Sequence, residues 1–262
     1  MALLRCDFFS ETLGLSTSMT VILPQETRRQ IGMTGSTSDL PPVLYLLHGL
    51  SDDDTIWTRR TSIERYVARL GLAVVMPQVH HSFYANEAQG LPFWSFLTEE
   101  LPTLVHRFFR VSEERADTFV AGLSMGGYGA MKWALREPWR FAAAASLSGA
   151  LGLRHPSPLH DPDFARLMQR VFGDGPTEGT DDDVLHLLRS SAGADLPALY
   201  VGCGTEDFLH PANQWFIDEA QAAGVPLTVR LGPGDHDWAY WDAQIQDVLA
   251  WLPLPPAELS AR

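Results

Sequence analysis

Eight short apolar runs, many of them β-branched, recur along the chain: LLRCDFF, MTVILP, PVLYLLHG, AVVMPQV, TFVAGLS, FAAAASLSG, ALYVGCG and PLTVRLG. Beyond the second run, helical patterns fall between them, namely IERYVARL, FWSFLTEELPTLVHRFF, GAMKWALREP, WFIDEAQAAG and WAYWDAQIQDVLAWL, with apolar residues spaced at three and four. A chain that alternates strand and helix in this way closes through right-handed crossovers. The fold class is therefore α/β, a mostly parallel central sheet of about eight strands with helices on both faces. The first two runs are joined by a short link through Gly14, which predicts an antiparallel hairpin at one edge. At 262 residues without an internal repeat, one domain spanning 1–262 is expected.

Two segments break the alternation. RRQIGMTGSTSDLPP, rich in Gly, Ser and Thr, reads as an exposed loop. Residues 151–196 are rich in Pro, Gly and Asp and carry two helix patterns, FARLMQRVF and DDDVLHLLR, so they read as a cap-like insertion over one end of the sheet. The triplet Asp181, Asp182 and Asp183 stands before an apolar helix pattern, where helix capping explains it better than a metal site. The tail PPAELSAR reads as frayed.

Charge narrows the partners. With 19 Lys and Arg against 32 Asp and Glu, the formal charge of -13 opposes binding to nucleic acid or to anionic lipid. The start, MALLRCDFFSETLG, lacks the apolar stretch of a secretory signal, and no run approaches the ~20 residues that span a bilayer. Cys6 and Cys203 form no metal or redox spacing and read as buried thiols. A cytoplasmic protein with no membrane insertion is the expectation.

The chemistry centres on GLSMGG, residues 122–127, between a strand run and a helix pattern. A G-x-S-x-G turn forces its serine into strained backbone geometry, and Gly122 and Gly126 remove the side chains that would collide there. Ser124 would then stand free at the strand's carboxyl end, with the Met125 N–H opening the helix beside it. Tight strand–helix packing alone is the competing explanation of the glycines. No Gly-Lys-Ser/Thr is present for a phosphate loop.

A serine hydroxyl needs a base, and the base an orienting acid; on this kind of turn both follow the serine in the chain. GTEDFLHP follows one strand run and supplies Asp207, and GPGDHDWAYW follows the last run and supplies His236. Glu206, Asp235 and Asp237 are rival acids, but neighbours of a histidine in sequence rarely reach its Nδ1. His210 is the second choice of base. The other half of an oxyanion hole is expected in HGLSDDDTIW, with Gly49 permitting the turn, the Leu50 N–H as donor and His48 holding the loop. No metal and no cofactor is assigned.

Taken together, HGLSDDDTIWTRRTSIER, MPQVHHSFY, GLSMGGYGAMKWAL, CGTEDFL and GDHDWAYWD resemble the esterase D group of α/β-hydrolases, and within it the tributyrin esterase carboxylesterases. The resemblance implies an α/β-hydrolase fold and hydrolysis of short-chain acyl esters by Ser124, Asp207 and His236, with Leu50 and Met125 as oxyanion donors. Where S-formylglutathione hydrolases of this group read SGLTCT, this chain has HGLSDD, which points away from a glutathione thioester. A small ester is the expected partner, and a homo-oligomer is compatible with the sequence. Gly49, Trp57, Phe83, Tyr84 and Trp238 are expected to bind substrate, with loop packing as the alternative for each aromatic. An acyltransferase, a feruloyl or acetyl-xylan type esterase, a thioesterase and a catalytically dead binding protein are the rival functions.

Overall fold

A computed structural model describes residues 1–27, 29–153 and 161–254. Its strands are β1 (Ala2–Ser10), β2 (Leu15–Leu23), β3 (Val43–Leu47), β4 (Ala73–Pro77), β5 (Thr118–Leu123), β6 (Ala143–Leu147), β7 (Ala198–Gly204) and β8 (Thr228–Gly232). They form one sheet in the order β1-β2-β4-β3-β5-β6-β7-β8. β1 and β2 pair antiparallel, as the Gly14 link predicts, and β2 also runs antiparallel to β4. All remaining pairs are parallel.

The helices are α1 (Ile56–Arg60), α2 (Ile63–Val67), α3 (Phe93–Ser95), α4 (Leu101–Phe108), α5 (Met125–Arg136), α6 (Pro162–Phe172), α7 (Val184–Ser190), α8 (His210–Ala222) and α9 (Trp238–Trp251). Alternate residues of the central strands feed opposite faces, as the pleat requires. Val43, Tyr45 and Leu47 join a core shared with α4 and α5, while Leu44 and Leu46 join another shared with α2 and α9. The pattern FWSFLTEELPTLVHRFF is one helical stretch, but residues Phe96–Glu100 between α3 and α4 form a π turn. Pro102 has no N–H for an α-helical bond to the preceding turn, and a π turn just before it absorbs that loss.

Between β6 and β7 the described residues carry α6 and α7. Asp183 caps α7 by accepting from the Leu185 and His186 N–H groups, the role expected of the acidic triplet. Residues 154–160 of the expected insertion, and the PPAELSAR tail beyond Leu254, lie outside the described residues. Both cysteines are free; Cys203 is buried, whereas Cys6, on the edge strand, is only partly covered.

Candidate active site

β5 runs into α5 through a single residue. Ser124 has φ 53° and ψ −117°, a left-handed backbone that costs a non-glycine residue about 1–3 kcal/mol and survives only when its surroundings fix it. They do so with three main-chain bonds: the Ser124 N–H donates to the Leu147 carbonyl, and the Ser124 carbonyl accepts from Tyr128 and Ala150. Both flanking glycines are needed. A Cβ at Gly126 would lie 2.5 Å from the Leu47 carbonyl oxygen, and one at Gly122 would strike the Gly126 backbone.

His236 reaches this serine from the loop between β8 and α9. Its Nε2 is 3.1 Å from Ser124 Oγ, and its Nδ1 lies 3.0 and 2.9 Å from the two carboxylate oxygens of Asp207. Asp207 leaves the end of β7 and is buried, with its Oδ1 also accepting from the Leu209 N–H. Burial pushes this carboxyl up, but hydrogen bonds from His236 and Ser148, the imidazole charge and the Leu209 N–H outweigh it. Asp207 is thus held below the ordinary range and stays an anion. The imidazole is clasped between Phe208, with ring centres 4.4 Å apart, and the edge of Trp241 at 4.9 Å.

The loops bearing Asp207 and His236 are stitched together. The Thr205 N–H donates to the Gly232 carbonyl and the Glu206 N–H to that of Gly234, while the Glu206 carboxylate accepts from the Gly234 N–H at 2.6 Å. The rival residues have other tasks. Glu206 serves this stitch, the Asp235 carboxylate accepts from the His236 N–H, and Asp237 caps α9. His210 bonds the Gly204 carbonyl.

The loop after β3 lies beside Ser124 because β3 and β5 pair in parallel with Leu47 opposite Gly122. His48 is buried, and its Nε2 accepts from the Val79 N–H, so the ring proton sits on Nδ1 and is donated to the Gly49 carbonyl at 2.7 Å. That carbonyl also accepts from the Asp52 N–H. In a trans peptide the carbonyl and the following N–H point in opposite directions, so fixing the Gly49 oxygen turns the Leu50 N–H the other way. Among the described residues, neither the Leu50 nor the Met125 N–H has a protein acceptor.

Of the expected substrate contacts, Trp57, Phe83 and Tyr84 lie beneath the loops and not on an open wall. Trp57 donates from Nε1 to the Leu47 carbonyl, and the Tyr84 hydroxyl donates to the His48 carbonyl, which draws both rings inward. Phe83 packs edge-on against Tyr128, Phe164 and Phe172. Trp238 is partly exposed and borders a cleft of about 350 Å³ with Ser51, Asp52, Asp53, Ile56, Arg59 and Arg60. Sequence reasoning missed Ser148, whose hydroxyl accepts from Trp241 Nε1, because its role depends on a contact between distant elements. It also missed Phe208, although its place beside Asp207 was a usable signal.

The family model described as putative esterase matches residues 10–252. The solved substrate-bound fluorophosphonate-binding serine hydrolase F of Staphylococcus aureus is 38% identical, covering 96% of this chain and 98% of that one, with a TM-score of 0.86. An S-formylglutathione hydrolase apoenzyme, also from Staphylococcus aureus, is 38% identical over the same shares, with a TM-score of 0.83. An acetyl esterase of Caldicellulosiruptor saccharolyticus is 28% identical over 263 residues, 96% of this chain and 98% of the relative. With an eight-stranded sheet of this topology and a match across nearly its whole length, the chain belongs to the putative esterase family and is a carboxylic ester hydrolase of the α/β-hydrolase type.

Proposed function

We propose that the protein hydrolyses short-chain acyl esters through a Ser124–His236–Asp207 relay and an acyl-enzyme. The observation that carries this reading is the unbroken hydrogen-bonded line from Ser124 Oγ through both imidazole nitrogens to the Asp207 carboxylate. His236 Nε2 takes the Ser124 proton as Oγ attacks the ester carbonyl, then gives it to the departing alcohol. Water enters and attacks the acyl carbon as it loses its proton to the same nitrogen; the bond to Ser124 Oγ then breaks, Oγ takes that proton back from His236, and the acid leaves. Asp207 holds the tautomer and balances the imidazolium charge. The Leu50 and Met125 N–H groups receive the oxyanion, and the amino end of α5 adds its positive dipole. The described residues between β6 and β7, with α6 and α7, act as a cap over this end of the sheet, and Trp238 contacts the substrate.

The likeness to a relative named acetyl esterase favours a short acyl group. Rates on p-nitrophenyl esters from acetate to decanoate test it, with a sharp fall expected beyond butyrate; equal rates along the series would remove the short-chain reading. Ser124→Ala should lower kcat by about 10³-fold or more and abolish fluorophosphonate labelling. A variant that keeps near-native hydrolysis would end the relay. Thioester hydrolysis is the second reading, favoured by the likeness to the staphylococcal S-formylglutathione hydrolase, and S-formylglutathione belongs in the same substrate panel.

A further inference from the structure

The helix that begins at the nucleophile buries a lysine. Lys132 sits on α5 with its side chain 1% exposed, and two bonds occupy its ammonium. One goes to the Asp182 carboxylate just before α7 and the other, at 3.0 Å, to the main-chain carbonyl of Tyr84. The Trp94 ring lies 4.5 Å from Nζ, and Arg136 covers the same ring. Burying an ammonium is costly, so an apolar residue at this position would be the simpler way to fill the space.

What the ammonium holds is a strained turn. His80, Phe83 and Tyr84 all have positive φ, at 50°, 48° and 50°. Conformations of this kind in non-glycine residues need outside support. α5 supplies it twice, one turn apart. At Gly129 the Tyr84 ring lies so close that a Cβ would come within 2.5 Å of it, and at Lys132 the Tyr84 carbonyl is bonded. The same tyrosine hydroxyl donates to the His48 carbonyl at 2.9 Å, and Val79, just ahead of the turn, donates to His48 Nε2.

From this chain of contacts we infer that Lys132 is a positioning residue: it ties the segment bearing Asp182 to the Tyr84 turn and through Tyr84 sets the oxyanion loop at Gly49 and Leu50. The inference rests on the ester-hydrolysis reading above. It assigns a buried cation, remote from the serine, to the quality of the oxyanion hole. Burial lowers the Lys132 pKa to about 8, against the opposing pull of Asp182 and Asp181 and with Arg136 adding to the fall. The Tyr128 phenol, whose hydroxyl donates to the Asp182 carbonyl, is pushed well above its ordinary value by burial and stays neutral. As pH passes about 8 the ammonium loses its charge and both bonds weaken. The unfolded chain holds this proton up to a higher pH, so the group's contribution to stability rises over the same interval. Activity falls while the fold does not.

Lys132→Met and Asp182→Asn test this, with p-nitrophenyl acetate as substrate and a trifluoromethyl ketone as mimic of the tetrahedral intermediate. Wild-type hydrolysis and fluorophosphonate labelling at pH 7 establish separately that the esterase reading stands. Lys132→Met is expected to lower kcat about tenfold with KM within twofold, and to weaken the ketone by the same factor as kcat. Asp182→Asn removes a stabilising anion and should move the alkaline fall in kcat to lower pH. A folded Lys132→Met with native kcat and ketone affinity would overturn the inference. Should that variant not fold, an alkaline limb unmoved by Asp182→Asn overturns it.

Discussion

His48 is a buried histidine whose two ring nitrogens are both bonded to main chain. Burial lowers its pKa to about 4, and the Val79 N–H on Nε2 leaves it no room for a second proton. An unfolded chain would protonate this ring near its ordinary 6.5. Stability owed to the neutral ring is therefore complete above pH 6.5 and is lost as pH falls toward 4, in total about 3 kcal/mol. Urea melts between pH 7 and 4 should show that loss, and His48→Asn should flatten the slope; an unchanged slope would argue against the neutral ring as its source. Asp207 is likewise held below its ordinary range, which for a carboxyl keeps the charged form, an anion. Asp207→Asn keeps the shape and reverses the tautomer preference, so kcat is expected to fall by about 10⁴-fold with little change in melting temperature. The three side chains proposed as nucleophile, acid and base were legible in the sequence because each lies shortly after a strand run and the fold class dictates their order, and the structure brings them within hydrogen-bond distance. Lys132 and Ser148 were not read, since their contacts depend on which distant segment lies against them.

Among the elements, the junction of β5 and α5 is the most constrained. Gly126 packs on the main chain of Leu47 and His48, and main chain cannot step aside as a side-chain tip can. Gly126→Ala should destabilise the protein by about 1–3 kcal/mol and reduce activity more than any loss of folded protein explains. Denaturant melts and active-site titration on the same preparation separate the two effects, and native behaviour in both would show that the junction yields. All eight strand runs and the edge hairpin were legible because the strands are short, mostly apolar runs bounded by turns. Aromatics were harder to read. A ring at a loop can face solvent or fold inward, and Trp57 and Tyr84 turn inward because each finds a main-chain carbonyl for its polar end.

The whole molecule carries a formal charge of -13, and among its described residues no helix is long and apolar enough to cross a membrane. A field of that sign disfavours the approach of anionic esters and leaves neutral ones untouched. Raising ionic strength from about 0.01 M to 1 M shortens the screening length from about 30 Å to about 3 Å. kcat/KM for an ester with a carboxylate on its alcohol should rise severalfold across that range, while the value for p-nitrophenyl acetate stays level. A fall for the charged ester would reveal a local cationic patch that overrides the net charge. The stitching of the loops after β7 and β8 has a mechanical consequence at this scale. The carboxylate and the imidazole ride on one tied pair of loops, whereas the hydroxyl stands on a separate turn anchored to β6. Warming should therefore stretch the gap between oxygen and Nε2 while the contact at Nδ1 keeps its length, and the proposed attack step should fail with heat before the fold does.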